Sequence, residues 1–479
     1  MRKFLKNNLL EIFKTINEAH KIIKGFLDKK EYENVQNLLV DCQNTAIDIG
    51  TLIEDSEGED FITISFLQEY CEALYQVSTN LSQESNGYKV QKFLDKKIIK
   101  AENSAKNDIK VRREIVFMPY KASMWDSLES VWKAADEDQD CDAYVVPIPY
   151  YDRKEDRSFG QFHYEGNEYP DYVPVVHYES YDLEKRKPDV IYIHNPYDGN
   201  NYVTSVDPRF YSSELKKYTE CLVYIPYYVV AHENINESML INSICSRADY
   251  IVLQSKDLCK RCINLYSSLF KVSPSSPCHK FIALGSPKFD AIVNAHKNDF
   301  ELPNEWKNMI ANKKIVLYNT SISTALHNTS LYIKKIKKTL EYFKNSTEYI
   351  LWWRPHPLFE STLASMRPQF FYEYKQLVDD YRKNKRGIYD DTLEMHRAIV
   401  FSDMYYGDLK SSLVVIYAAT GKPNAAAFID SNENCSSFEQ DIDRYFRDNS
   451  SLDILKRNEN YDGTAGIHIH NFIKKEIIK

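Results

Sequence analysis

The sequence predicts an α/β protein with an all-helical segment at its amino terminus, and three observations lead to this prediction. Through residues 1–105 apolar side chains recur every three or four positions, which is the period of a helix packed on one face. From residue 114 onwards short apolar runs alternate with helical patterns, as in a parallel sheet covered by helices. Several of these runs stop at polar clusters, which is typical of strand ends that carry a ligand site.

Length and composition exclude several classes of protein. The chain has 479 residues, 43% of them hydrophobic, which is enough for several domains with their own cores. A net charge of −8 argues against nucleic acid as the main partner, because nucleic-acid-binding proteins usually present a basic face. Nine cysteines without a secretory signal predict a reducing cytoplasm, and no apolar run approaches the length of a membrane span.

The first expected domain, residues 1–105, is a small helical bundle. Its first helix carries Leu9, Phe13 and Ile16 on an apolar stripe that lysines such as Lys14 and Lys21 surround. Such a helix can lie on an anionic surface, which would place the protein peripherally at the inner face of the membrane. It can equally pack against neighbouring helices and dock a partner or a second copy of the chain, and we favour this interpretation.

The second expected domain, residues 106–300, alternates strand, loop and helix like a Rossmann-like sheet. No GxGxxG motif follows its first strand, so we expect no dinucleotide site of that type. The expected strands lie within residues 115–120, 142–150, 189–197, 221–230, 250–255 and 281–284.

Polar residues crowd the end of one of these strands. His194 follows the strand directly, and Asn195, Tyr197, Asp198 and Tyr202 come next. A displayed histidine beside an aspartate can deprotonate a hydroxyl group, with Asp198 orienting the ring. Alternatively, His194 caps a buried turn and the Asn-Pro and Asp-Gly steps only shape a loop.

The third expected domain, residues 301–479, is a second Rossmann-like unit with a C-terminal helix. Just before it, Lys288 lies at an expected helix start, where its ammonium group could steady a phosphate. Thr320 and Ser321 end the first strand of this domain. They either cap a helix, donate hydrogen bonds to a pyrophosphate, or belong to a plain loop.

A strand within residues 349–353 runs into Arg354-Pro355-His356-Pro357. Each proline fixes its own φ and keeps the preceding residue out of the helical region, so we expect Arg354 and His356 to be displayed on a stiff loop. Arg is a forked donor suited to phosphate, and His donates one or two protons according to its charge. The alternative for Arg354 is a surface salt bridge.

Two acidic residues and two serines complete the candidate site in this domain. Asp391 or Thr392 is expected to cap a helix over residues 393–401, and Asp408 follows a short strand at 404–406. Ser411 or Ser412 is expected to cap the next helix, whose free N–H groups would face the loop and favour an anion. Alternatively, the serines only cap the helix.

The pair Cys259 and Cys262 suggests zinc by its spacing, with Cys278 and His279 as further ligands. Against this, the pair lies within an expected helix at residues 256–269, and no second CxxC completes a ligand set. We therefore expect no metal site.

The motifs LGSPKFD, IVLYNTS, RPHP, YDD, SDMYYGD and KSS followed by ATGKP, in this order, resemble the CDP-glycerol glycerophosphotransferase family of teichoic-acid and related polymer enzymes. The resemblance covers roughly residues 113–430. It implies a GT-B fold, in which two Rossmann-like domains face each other, with the nucleotide held mostly by the second. It also implies transfer of an alcohol phosphate from a CDP-activated donor to a hydroxyl of a glycan or polyol-phosphate acceptor, without a cofactor.

The resemblance also implies roles for the candidate residues. The family carries a His-Gly-Thr signature in the first lobe, whereas IPYYVVAH stands here, so either His232 or His194 is the expected base. Acceptor-side contacts fall to the residues that follow His194. His356 is a further catalytic candidate, expected to stabilise charge on the transferring group. Donor contacts fall to Lys288, Thr320, Ser321, Arg354, Asp391, Asp408, Ser411 and Ser412.

Two alternatives stay open from the sequence. One is a GT-B glycosyltransferase that uses a nucleotide sugar, since the architecture is shared. The other is a non-catalytic scaffold that assembles a surface-polymer complex through the N-terminal helices.

Overall fold

The computed structural model describes residues 1–81, 86–230, 240–392, 394–408, 411–425 and 458–478. The chain divides into two compact units. One comprises Met1–Glu114 and Asp138–Asp142, and the other comprises Ile115–Glu137 and Ala143–Lys479. The predicted α/β class with an N-terminal helical part is confirmed.

The first unit is built from four long helices whose apolar stripes face one another. Its core runs from Met1 to Ile109 and includes Phe13, Leu39 and Leu94. The charged segment that follows residue 86, which the apolar pattern left unassigned, forms the fourth helix, and Asn86 caps it by accepting from the N–H of Lys89. The helices span Lys3–Asp28, Tyr32–Glu57, Ile62–Thr79 and Gly87–Asn107.

A six-stranded sheet forms the first half of the second unit, in the order β2-β1-β5-β7-β8-β9. The pairs β1–β5, β5–β7, β7–β8 and β8–β9 are parallel, so their carboxyl ends share one edge. These strands are short and mostly buried, as expected for apolar runs covered on both faces. They are β1 Arg113–Met118, β2 Cys141–Val145, β5 Val190–Ile193, β7 Cys221–Tyr224, β8 Tyr250–Leu253 and β9 Phe281–Ala283.

A three-stranded antiparallel sheet, absent from the sequence prediction, joins this half. The run over residues 142–150 was expected to lie in one strand, but β2 ends at Val145 and Pro147 and Pro149 separate it from a new strand. Its central strand pairs with both others. The strands are β3 Tyr150–Arg153, β4 Phe159–His163 and β6 Thr204–Val206.

The second half of this unit is a four-stranded sheet in which every pair is parallel. Its order is β12-β11-β10-β13, so the ends of β11, β10 and β13 are neighbours along one edge. The strands are β10 Lys314–Thr320, β11 Tyr349–Pro355, β12 Ile388–Tyr389 and β13 Met404–Gly407. Two parallel sheets covered by helices in one unit correspond to the predicted GT-B-like pair.

Helices cover both sheets, and the last of them returns to the first half. Ala465–Ile478 packs against Glu129–Asp136, and the carboxylate of Asp290 accepts hydrogen bonds from its first two N–H groups. None of the described helices combines the length and apolar composition needed to cross a bilayer. The other helices are Leu183–Arg186, Ser212–Leu215, Lys256–Phe270, Pro287–Val293, Asn304–Ile310, Ile322–His327, Thr329–Lys344, Phe359–Met366, Pro368–Asn384, Met395–Phe401 and Ser412–Ala418.

Candidate functional site

Asp408, at the carboxyl end of β13, gathers three donors on one oxygen. Its Oδ2 accepts from the Ser321 hydroxyl at 2.5 Å, the Ser321 N–H at 2.8 Å and the Tyr332 hydroxyl at 2.5 Å. Burial raises the pKa of Asp408, although these donors oppose the shift. The carboxyl group therefore links the end of β13 to the end of the neighbouring strand β10.

Thr320 and Ser321 are used inside this junction. Thr320 is fully buried, and its hydroxyl accepts from the indole N–H of Trp353 at 3.3 Å. Ser321 caps the helix Ile322–His327 by accepting from the N–H of Thr324, which is one of the roles the sequence allowed. Because the Ser321 proton goes to Asp408, this hydroxyl positions the loop and is not a free donor.

His356 follows β11 and presents an exposed ring. Its backbone N–H donates to the carbonyl of Thr320 at 2.9 Å, which fixes the loop to the neighbouring strand. Nδ1 accepts from the N–H of Leu358 at 3.1 Å, so the proton of the neutral ring is on Nε2. Burial of part of the ring lowers the pKa of His356, which favours this neutral donor form.

Ser411 and Ser412 lie on the loop beyond Asp408. The side chain of Ser411 accepts from the N–H of Leu413 at 3.2 Å and caps the helix Ser412–Ala418, as predicted. Its own N–H donates to the carbonyl of Asp408 at 3.2 Å, which ties the cap to the strand end. Ser412, the first residue of the helix, is exposed.

The prediction that Arg354 is displayed is wrong. Its side chain is only 8% exposed, with Nη1 lying 2.8 Å from Oδ2 of Asp390 and Nη2 donating to the carbonyl of Thr392 at 2.6 Å. Asp390 is fully buried and also accepts from the indole N–H of Trp352 at 2.9 Å. The guanidinium therefore holds the ends of β11 and β12 together, and its partner Asp390 was not among the predicted site residues.

Asp391 forms an exposed ion pair with Arg382 on the surface. The prediction that Asp391 or Thr392 caps the following helix is wrong, because Met395–Phe401 begins after Glu394 and no side chain caps it. Thr392 instead donates from its N–H and its hydroxyl to Asp390.

Lys288 is paired rather than open to solvent. It lies in the first turn of Pro287–Val293, and its Nζ is 2.6 Å and 2.5 Å from the two carboxylate oxygens of Asp126. Nε2 of His396 lies 3.4 Å from the same carboxylate. Burial alone would raise the pKa of Asp126, but Lys288 and His396 outweigh it and hold that pKa well below its usual range. No local signal marks Asp126 or His396, since the three residues come from separate elements.

His194 is fully buried, and both of its ring nitrogens are occupied. Nε2 accepts from the N–H of Tyr120 at 3.1 Å, and Nδ1 lies 2.9 Å from the Ser127 hydroxyl. Burial lowers the pKa of His194 to about 3. The expectation of a displayed histidine is therefore wrong, and the alternative of a buried turn fits the contacts.

Asp198 does not orient His194. Its two oxygens accept from the N–H of Ser212 at 2.9 Å and from the Ser212 hydroxyl at 2.7 Å. The expected hydrogen bond between Asp198 and the imidazole is therefore absent from the described residues.

The remaining acceptor-side candidates differ in exposure. The side chain of Asn195 is buried and accepts from the N–H of Tyr197, which is half-buried. Tyr202 is exposed, and the guanidinium of Arg157 lies over its ring at 4.4 Å. His232 lies outside the described residues.

Taken together, the contacts join Thr320, Ser321, His356, Asp408 and Ser411 at one edge of the second sheet. The interior groups fix the loops, while the ring of His356 and the side chain of Ser412 are exposed and that of Ser411 is partly buried. Neighbouring strands lie about 4.8 Å apart, so the ends of β11 and β13, separated by β10, lie about 10 Å apart. Hydrogen-bond donors at the carboxyl ends of neighbouring parallel strands suit an anionic ligand.

Comparisons with known proteins give likeness in structure only. No family model matches the sequence, and no curated protein matches it either. The chain is similar to the wall teichoic acid polymerase TagF, with 12% identity, a TM-score of 0.45, and coverage of 86% of this chain and 98% of that one. It is also similar to a UDP-N-acetylglucosamine 2-epimerase, with 10% identity, a TM-score of 0.48, and coverage of 78% and 98%. A third similar structure is MnaA from S. aureus with UDP, at 12% identity, a TM-score of 0.47, and coverage of 76% and 97%.

Proposed function

We propose that the protein transfers an alcohol phosphate, such as glycerol phosphate, from a CDP-activated donor to a hydroxyl of a cell-surface glycan or polymer precursor, releasing CMP. The observation that carries the proposal is the donor edge, which we define as exposed His356 and Ser412 and partly buried Ser411, held by the Asp408–Ser321 junction. The order of motifs from LGSPKFD to ATGKP supports cytidine as the base and an alcohol phosphate as the cargo.

In this reaction an acceptor hydroxyl loses its proton, and its oxygen attacks the β-phosphorus of the donor. The bond between that phosphorus and the bridging oxygen breaks, and CMP leaves with the electron pair. Charge spreads over the phosphoryl oxygens in the transition state, so fixed donors accelerate the step. Among the described residues, the Nε2–H of His356 and the hydroxyls of Ser411 and Ser412 are donors at this edge.

Arg354 acts differently from the other residues expected to contact the CDP-linked donor. Because its guanidinium is engaged by Asp390 and by the carbonyl of Thr392, it supports the loop that carries His356. Its substitution would disturb folding and binding together. His356 is therefore the better residue to vary.

The proposal is tested by calorimetric titration of the protein with CMP, CDP, UDP and GDP. We expect selective binding of the cytidine nucleotides, weakened at least about tenfold by His356→Ala, because a hydrogen bond to a charged group contributes about 1.5–3 kcal/mol. His279→Ala, which removes an exposed histidine of the first half, is the control and should bind CDP as the wild type does. Preference for UDP or GDP would favour a glycosyltransferase, and binding of none of the four would favour the scaffold.

A further inference from the structure

The antiparallel sheet lies just beyond the carboxyl edge of the first parallel sheet. The N–H of Ile148 donates to the carbonyl of Pro119 at 2.9 Å, so the chain leaving β2 continues alongside the chain leaving β1. The ring of Tyr150, the first residue of β3, meets the ring of Tyr120 edge-on with centroids 5.4 Å apart. The start of β3 therefore lies next to the carboxyl ends of the parallel strands, with only the ring of Tyr120 between them. Ligands bind at such strand ends in open α/β sheets.

A histidine and an aspartate are paired on this sheet. Nε2 of His163, the last residue of β4, lies 2.8 Å from Oδ2 of Asp152 on β3. The imidazole also stacks on the ring of Tyr150, with centroids 4.9 Å apart and planes 18° apart. The His163 side chain is 29% exposed, so the ring is held on two sides and open on another.

The pairing defines which nitrogen of His163 can act as a base. A carboxylate only accepts, so in the neutral ring Nε2 carries the proton and donates it to Asp152. The lone pair is then on Nδ1, for which the described part of the chain provides no hydrogen-bond partner. This is the arrangement of a carboxylate-oriented general base. His194 offers the opposite case, since both of its nitrogens are engaged in the interior.

The charged groups around the stack hold its geometry. The Tyr150 hydroxyl donates to Oε1 of Glu165 at 2.5 Å, and Oε2 of Glu165 accepts from the N–H of Ala122 at 2.8 Å. Nζ of Lys121 lies 4.9 Å from the centroid of the Tyr150 ring. These contacts fix the ring of Tyr150, on which the imidazole rests.

We infer that His163, oriented by Asp152, is the base that removes the proton from the acceptor hydroxyl. The inference rests on the proposed transfer. It assigns to His163 the role of base, which the buried His194 cannot perform. The O–H bond of the acceptor breaks and its proton goes to Nδ1 of His163. The acceptor oxygen then forms the new bond to phosphorus as the bond to CMP breaks.

The test measures CMP release from CDP-glycerol with a short glycerol-phosphate oligomer as acceptor, and CDP binding in parallel. His163→Gln should lower turnover about 100-fold or more, the usual contribution of a general base, with CDP binding within twofold of wild type. Asp152→Asn should lower turnover at least about 10-fold, because the carboxylate that orients the ring and fixes its tautomer is lost. His177→Gln removes an exposed histidine of the same half, whose Nδ1 lies 4.0 Å from an exposed Glu179 carboxylate, and should match the wild type.

The pH profile separates a base from a merely structural residue. An imidazole accepts a proton only when neutral, so wild-type turnover should fall toward acid pH and the residual turnover of His163→Gln should lack this limb. Wild-type turnover by His163→Gln, or an unchanged acid limb, would overturn the inference alone. Absence of CMP release by the wild type would overturn the proposed function and the inference with it.

Discussion

His194 ties the end of β5 to the loop after β1 as a neutral ring. Its pKa is about 3 in the folded protein, against about 6.5 in an unfolded chain. Between these values the unfolded chain binds a proton that the folded protein does not, so the free energy of unfolding falls as pH decreases from about 6.5 towards 3. The loss is about 1.4 kcal/mol for each pH unit.

The first prediction is that His194→Gln removes this pH dependence. Urea unfolding at pH 6.5 and pH 5 should show the wild type losing about 2 kcal/mol more than the variant over that interval. His279→Gln, an exposed substitution, should retain the wild-type slope. Parallel pH dependences for His194→Gln and wild type would mean that the buried ring takes up a proton in the fold.

At the scale of single residues, the sequence could predict that a residue lies at a strand end but not which residue it contacts there. His194 and Arg354 follow apolar runs and were expected at strand ends, where both lie. Their burial depends on Tyr120, 74 positions away, and on Asp390, which no local spacing links to them. A hydrogen bond between two strand ends is set by the order of strands in the sheet, which apolar periodicity does not encode.

At the scale of elements, Asp390 joins β11 to β12. Asp390→Ala would leave the guanidinium of Arg354 buried without its partner, at a cost of about 3–5 kcal/mol. The neighbouring exposed pair of Asp391 with Arg382 gives a matched control, and Asp391→Ala should cost no more than about 1 kcal/mol. Chemical denaturation of the two variants checks the contrast, and equal effects would mean that the Asp390 pair is as solvated as the surface one.

Elements with long apolar runs were predictable, and short polar ones were not. The strands β10, β11 and β13 lie within or beside the runs that predicted them, and the helix Lys256–Phe270 begins where expected. The sheet β3-β4-β6 was missed because charged and polar residues interrupt the apolar pattern of its strands. The signal was present as two aromatic runs flanking Glu155 to Ser158, which is a hairpin pattern.

At the scale of the whole molecule, the first unit has a core of its own. All members of that core lie between Met1 and Ile109. A buried polar network adds to it, in which His20 lies 2.7 Å from Asp95 through Nδ1 and 2.6 Å from the Tyr70 hydroxyl through Nε2. Such closed packing is what an independently folding bundle requires. We retain the proposal that its outer face docks a partner, a second copy or a membrane surface.

The last prediction is that residues 1–112 fold alone and that residues 113–479 keep the nucleotide site. The isolated N-terminal fragment should be predominantly helical by circular dichroism and melt cooperatively, because its core needs no residue beyond Ile109. The remaining chain should bind CDP within about threefold of the full protein, since His356, Asp408 and the serines lie in the second unit. A molten fragment would mean that the bundle depends on the rest of the chain, and loss of CDP binding would give the helices a part in nucleotide binding. Retained CDP binding would instead favour a docking role for the N-terminal helices, because the nucleotide site would then work without them.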